Sequence, residues 1–548
     1  MKRYLWLCVV VILFLICTGC GDTYRPVITV QLPKFPDPKA SHSVVLINDN
    51  NTDFSDPPHS DHGTVMSVDV SGDSVVGVAN VGLAPVHVVQ QTASQVLVVN
   101  HSVTGAVADT LTKVTFSGTQ ISNTTTISLP PDSAPNFVAS TEPTTAYVLL
   151  PNYVPDPVNF PGVVVPSVGV VNTVANQLGP TMAVQNKPVA MVETPDAKKL
   201  YVANNGAGTI SNFNTVDRSP RNLVPITLSS APLWLASRSD SQRVYVLETN
   251  GTLATLDTTA TAGPDILTET SISVPGALSM LYDGHLNRLY IAGGTQFAVV
   301  DVASSTPQLL KTIPFPQVPS VPPVDALAVA VAALPDGSRA YVASVPNNPQ
   351  PSQVSISAVQ GDGKTATYAY TLTGGHNLTV GMPIAVSGIT PDGFNGTFTI
   401  NTVTGTSCDQ PTQVCTFQTL NATVANQTAE TGTGGSTIDH LFPQVTVINT
   451  SGNTIKSTFD IPGFPDATVV GSPYFVPVCA ATRFRFTMAA GGDSSRVYLA
   501  SCDAGNVNVI DTATDTYILN LKAPGSSRAP INGNQPPPQN PVFMIAGP

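Results

Sequence analysis

Three observations predict an all-β protein built as a ring of four-stranded blades, a β-propeller. A phrase made of a basic residue, a Tyr between apolar neighbours, a small polar loop and a second apolar run returns along the chain; KKLYVANNGAGTISNFNTV at 198–216 states it in full. The Tyr of successive copies falls at 147, 201, 245, 290 and 341, steps of 54, 44, 45 and 51 residues, the length one blade needs. The body is rich in Val, Thr, Ser, Asn, Gly and Pro and lacks the Glu, Lys, Leu and Ala at three- and four-residue spacing that mark helices.

The chain opens with Met1-Lys2-Arg3 and an apolar run from Leu5 to Ile16, too short for a membrane span with its flanks, so it reads as an export signal. Its end, LICTGC at 15–20, resembles a bacterial lipobox; that resemblance implies a signal peptide over 1–19 and lipidation of Cys20. Residues 20–41 then form a Pro-rich tether. Gly21 stands where an Asp would favour inner-membrane retention, so an outer-membrane or cell-surface lipoprotein is expected. Only 11% of the 548 residues are charged and 42% are hydrophobic, which excludes a charge-rich disordered chain. The formal charge is −12 and no basic run follows residue 3, so nothing would neutralise phosphates and nucleic acid is not an expected partner.

The blades follow in order. Second strands are expected around 44, 96, 147, 201, 245, 290, 341 and 498, a count of eight, or seven if the terminal unit is irregular. Ahead of each lies an apolar strand headed by Pro or a small residue, as in KPVAMVE, APLWLAS and GALSMLYD. Behind it comes a third strand ending in Asp or Asn plus Thr, with FAVVDVAS and NVNVIDTATDT read as third strands, then a fourth such as LLKTIPF or YILNLKA. The first unit lacks a leading strand, and NPVFMIAGP at 540–548 can supply it, closing the ring by sharing a blade between the two termini.

From Tyr341 to Tyr498 is 157 residues, far more than one period. The excess alternates apolar and polar residues between Gly-rich turns, DGFNG among them, and predicts a small inserted β module over 352–441. The propeller then occupies 42–351 and 442–548. With Cys8 and Cys17 in the signal and Cys20 lipidated, Cys408, Cys415, Cys479 and Cys502 remain, an even number in an exported chain. Cys408 pairs with Cys415 across a tight loop and Cys479 with Cys502 by elimination; no cysteine pair has zinc-finger spacing.

The units, with Tyr201-Val202-Ala203-Asn204 and its trailing GTISNFNT, and Tyr498-Leu499-Ala500-Ser501 with GNVNVIDTATDT, resemble the YVTN family of propeller repeats over most of 42–548 outside the insert. The resemblance implies the ring fold and an exported binding or scaffold protein; it implies no reaction. The repeated Tyr and Val are expected to fill the core between blades rather than touch a ligand.

Catalytic signatures fail. AVQGDGKT at 358–365 ends like a phosphate loop, but Ala358 replaces the first Gly and TATYAYT behind it is strand rather than helix. HExxH, GxSxG and CxxCH do not occur, and Trp234 as the one Trp outside the signal does not fit a quinone-cofactor propeller. NDNNTDFSDPPHSDHG at 48–63 gathers Asp49, Asp53, Asp56, His59, Asp61 and His62, yet its spacing matches no calcium or zinc loop, so it reads as a solvated acidic loop. His87, His101, His285, His376 and His440 are scattered and read as surface or strand residues. No catalytic residue, metal or cofactor is therefore expected. The functional expectation is a lipid-anchored extracytoplasmic module that binds an envelope protein, a glycan or another envelope component. Two rivals are a lactonase-type hydrolase, which needs acidic, His or Arg groups converging at the channel mouth, and a spacer that displays the insert for adhesion.

Overall fold

The computed structural model describes residues 42–50, 61–102, 108–261, 263–317, 320–321, 325–346, 352–378, 380, 383–405, 407–410, 413–424, 428–429, 434–437, 443–461, 479, 483–527 and 538–548. Cys20 and the expected signal and tether lie outside these residues, as do Asp53, Asp56, His59 and His440.

Eight antiparallel four-stranded sheets, the expected blades, follow one another along the chain. In blade 1 the innermost strand is Asn540–Ala546, paired with Ser43–Asp49 through Val44 to Ala546 and Ile47 to Phe543, so the two termini close the ring. Blades 2 to 8 begin with Pro85–Thr92, Phe137–Ala139, Pro188–Glu193, Pro232–Ser237, Ala277–Asp283, Ala326–Ala333 and Phe486–Ala490. These eight first strands contact one another in sequence and return to Asn540–Ala546, which defines a central axis. Second strands such as Lys199–Asn204 and Arg243–Glu248 are buried along their whole length, because each blade is packed on both faces, and they read as continuous apolar runs. Fourth strands such as Gln308–Pro314 are mostly exposed, and Lys, Thr and Gln there discourage pairing of the outer edge with another chain.

The structure explains the two recurring sequence signals. Thr at the end of the third strand staples it to the turn between the first and second strands: Thr258 Oγ1 donates to Ser241 O at 2.8 Å, Thr512 Oγ1 to Ser494 O at 2.6 Å and Thr215 Oγ1 to Ala197 O at 2.6 Å. The carbonyl of the same Thr accepts from the preceding blade, from Lys199 at Thr258, from Arg288 at Thr450 (2.7 Å) and from Arg339 at Thr512. The basic residue two before the Tyr thus reaches across a blade interface. Thr258→Val keeps the shape but leaves the Ser241 carbonyl without that donor, and is expected to cost ~1–2 kcal/mol, read as a lowered denaturant midpoint with unchanged slope.

The Tyr itself is buried between blades, as expected, and its hydroxyl often bonds to the next blade. Tyr201 donates to Asp265 at 2.7 Å, Tyr341 to Asp515, and Tyr498 to Asp73 at 3.2 Å. Each of these acids also holds a cation: Arg221 on Asp265 at 2.7 Å, Arg339 and Lys456 on Asp515, and Arg496 on Asp73 at 2.9 Å. Asp73 and Asp515 stand four residues after the Asp ending the third strand, at φ 46° and 54°; Asn176 and Asn453 hold the same place in blades 3 and 7, at φ 53° and 49°. Those two accept from Lys113 at 2.7 Å and from Arg288 at 3.3 Å. Asp and Asn enter this left-handed backbone readily, so the turn and the clamp select the same side chains.

The insert leaves the ring between the second and third strands of blade 7, Arg339–Pro346 and Gln444–Asn449, which still pair with each other. Six of its strands close on themselves: Gln353–Gly361, Thr365–His376, Cys415–Leu420, Gly396–Thr404, Pro383–Ser387 and Gly434–Thr437, the last pairing back to the first. The small barrel has its own core, with Tyr368 stacked on Phe417 at 4.6 Å and Phe394 fully buried. Ser320–Val321, from before blade 7, adds a short strand to it at Gly375 and His376. Cys408 is joined to Cys415 within the barrel, and Cys479 to Cys502 in blade 8.

Candidate functional site

The axis is where the eight first strands converge, and their sequences shape it. Pairing between first and second strands skips one residue near the start in most blades: Val86, Val189, Leu233, Leu278 and Val329 are bulged. A bulge turns the backbone out of the ladder and re-aims its carbonyl. Pro85, Pro188 and Pro232 head three of these strands, where no ladder N–H is needed, and Pro541 is second in the strand of blade 1. The bulged residues are all apolar, and Leu278 is largely exposed.

Five rings close a circuit at the axis. His87 of blade 2 stacks on Phe137 of blade 3 at 3.8 Å and lies 4.6 Å from Phe543 of blade 1. Phe543 meets Phe484 edge-on at 4.7 Å, Phe484 meets Trp234 of blade 5 at 5.7 Å, and Trp234 meets Phe137 at 6.1 Å. Such edge and offset arrangements are the ones ring quadrupoles favour.

Arg483 sits against this circuit. Its guanidinium carbon is 4.9 Å from the centre of Phe484, 5.4 Å from Trp234 and 6.0 Å from Phe137. It belongs to the segment leading into blade 8, yet it donates across the axis to the bulged carbonyls Val189 O and, at 3.3 Å, Leu233 O of blades 4 and 5. That segment is anchored three ways: by the Cys479–Cys502 bond, by Cys479 N donating to Asp503 Oδ1 at 2.8 Å, and by Arg485 paired with Asp503. Burial lowers Arg483 to about 10, so it remains a cation at neutral pH. Its surface is nonetheless exposed. Among the described residues no carboxylate pairs with it, and two of its five N–H donors go to carbonyls.

His87 is held in the opposite sense. Burial first, then the positive charge of Arg483, push its imidazole down to about 3, so it is neutral; Nδ1 accepts the Val138 N–H at 3.4 Å. The reading of His87 as a strand residue is right in place and incomplete in role, since it is part of the axial circuit.

The remaining residues singled out from sequence do not converge here. His62 Nδ1 donates to Val81 O at 2.7 Å, Asp61 accepts from Ser527, and Asp49 is buried at the end of its strand. His101 contacts Asp109 at 3.2 Å. Among the described residues no group of three or more His, Cys, Asp or Glu is placed to hold a metal ion. Sequence reasoning missed Arg483, Phe484, Phe137 and Phe543. The one signal available was the residue two after Pro85, Pro232 and Pro541, which places His87, Trp234 and Phe543 at equivalent positions.

No protein-family model matches the chain, and no curated protein is similar to it. Among solved structures it is similar to apo AztD from Citrobacter koseri at 10% identity and a TM-score of 0.48, the match covering 92% of this chain and 98% of that one. It is similar to a functionally unknown protein from Desulfotomaculum acetoxidans at 8% identity and a TM-score of 0.39, covering 92% and 99%. A structure of the Dos1 propeller matches at 9% identity and a TM-score of 0.38, covering 51% of this chain and 69% of that one. No function passes from these to this chain.

Proposed function

We propose that the protein is an extracytoplasmic binding module of the YVTN type, anchored through a lipid on Cys20, whose axial mouth takes an acidic glycan of the cell envelope. The observation that carries this reading is Arg483: an exposed cation without a carboxylate partner among the described residues, flanked by three aromatic faces. Aromatic rings receive the apolar faces of sugars, and a guanidinium fork matches a carboxylate in geometry and charge. The bulged carbonyls steady the fork and leave donors for a ligand.

Trp234 reports directly on the site, as the one Trp beyond the signal. Titration with an oligogalacturonate is expected to change its emission saturably, while the corresponding neutral oligosaccharide does so at least ~10-fold more weakly. Arg483→Met removes the response, and Arg483→Lys, which keeps the charge and loses the fork, weakens it by roughly tenfold. An acidic and a neutral sugar binding alike, or neither binding, would count against the reading.

The hydrolase alternative draws on one observation, that His87 and Arg483 meet at the axis. The walls give it little further support: they are apolar and Pro-headed, and His87 is neutral with Nδ1 engaged. Turnover of a lactone that is lost on His87→Phe would favour it.

A further inference from the structure

On the axial end away from the insert, the turns between third and fourth strands clamp four of the blades to the one before. The clamp position four residues after the end of the third strand carries Asp73, Asn176, Asn453 and Asp515 in blades 1, 3, 7 and 8, and each accepts a hydrogen bond from a cation of the preceding blade. In blade 4 that position, four after Asn214, is Arg218. It adopts the same left-handed backbone, φ 63°, which suits Asp or Asn and strains an arginine. The preceding blade is altered to match. Thr145 stands where blades 4 to 8 have the basic residue two before the Tyr, and the Tyr147 hydroxyl has no hydrogen-bond partner among the described residues, unlike Tyr201, Tyr341 and Tyr498.

An acceptor has thus been exchanged for a cation at one interface, and the result is an open cleft of about 440 Å³ between blades 3 and 4. Glu142, Tyr147 and Arg218 line it together with Thr145, Asn172 and Thr215. Arg218 and Glu142 form no ion pair with each other or with any other described residue. The left-handed backbone strains Arg218 where blades 1, 3, 7 and 8 have a clamp, and strain of this kind collects at functional sites.

We propose that this cleft is a second binding site, separate from the axial mouth, for a small zwitterion with the ammonium and carboxylate of an amino acid or short peptide. Arg218 and the Tyr147 hydroxyl receive the carboxylate and Glu142 the ammonium. Thr145, Asn172 and Thr215 supply neutral hydrogen-bonding groups between them.

The test is calorimetric titration of the mature full-length protein with L-alanyl-L-alanine, with L-alanine as the free amino acid, and with the N-acetylated and C-amidated dipeptides. Saturable binding of the dipeptide or of alanine is expected, and either blocking group should weaken the dipeptide at least ~10-fold, since each removes a charge-assisted contact. Glu142→Gln should abolish the discrimination against the N-acetylated form. Arg218→Asp should remove binding while raising the thermal midpoint, because an acid there accepts Tyr147 as Asp515 accepts Tyr341; Arg218→Asn, the residue type of blades 3 and 7, should lose binding with a native fold. Failure of both free zwitterions to bind at millimolar concentration would overturn the proposal, as would retained affinity in both Arg218 variants. None of these results depends on Arg483 or on the acidic glycan.

Discussion

Replacing Asp265 with alanine is expected to cost about 3–5 kcal/mol, one of the two largest effects foreseen for this protein. Asp265 accepts from Arg221 Nε at 2.9 Å and from Arg221 NH2 at 2.7 Å, from the Tyr201 hydroxyl at 2.7 Å and from Asn212 Nδ2 at 2.6 Å. Both charged side chains are 0% exposed, so the attraction is little screened and neither partner can turn to water. Removing the acid leaves a buried guanidinium with Asn214 Oδ1 and Ala260 O as its remaining acceptors. Replacing both partners, as Arg221→Met with Asp265→Leu, should recover most of the loss, because the desolvation penalty disappears with the charge. Denaturant midpoints of the two singles and the double decide it. A single substitution costing under ~1 kcal/mol would mean that blade packing alone holds this interface.

Acidification should leave stability nearly flat between pH 6.5 and 4.5 as far as two buried groups are concerned, and then reduce it. The imidazole of His87, 5% exposed, is lowered from 6.5 to about 3 by burial and by Arg483. Below pH 6.5 the unfolded chain takes up a proton that the folded one refuses, so stability present above 6.5 is lost as pH falls, by up to ~1.4 kcal/mol per pH unit and ~4–5 kcal/mol by pH 3. Glu193, 6% exposed, is raised from 4.5 to about 7 by burial, which outweighs the Thr141 N–H donated to Oε2 at 2.6 Å. Between pH 7 and 4.5 the folded chain is the one that binds the extra proton, so acidification relieves a cost of similar slope. The two offset each other until Glu193 is protonated in both states. Glu193→Gln should therefore lose stability from pH 6.5 downward relative to the parent protein, and His87→Phe should gain it down to pH 4.5. Denaturation midpoints from pH 7.5 to 4 measure this; a His87→Phe variant with the parent's acid profile would falsify the assignment.

Much of the ring was legible because its signals are local. The period of the Tyr phrase marks second strands, and the Asp- or Asn-Thr endings mark third strands. Those endings recur because a Thr hydroxyl staples its own blade and its carbonyl receives the cation of another. The pairing of 540–548 with 43–49 was legible because an incomplete first blade and a spare last strand are complementary statements about one sheet. The Arg218 exchange was present in the sequence too, but only the clamp geometry gives the fourth position after Asn214 a meaning. The axial site was legible in part. Trp234, Phe543 and His87 each stand two residues after a proline at or next to the start of a strand, whereas Arg483 precedes its blade in a segment with no repeat signal.

By itself the sequence determined the strand order, the closure of the ring by its termini and the place of the insert, because each follows from hydrophobic alternation, turn chemistry and spacing within a unit; the cysteine pairing followed from a tight loop and elimination. Tertiary structure alone decided which carbonyls face the axis, that Arg483 reaches blades 4 and 5 from the lead-in to blade 8, and that the insert closes as a barrel. Those outcomes depend on groups tens to hundreds of residues apart being brought within a few ångströms, where one cation donates to carbonyls at the bulges of two blades.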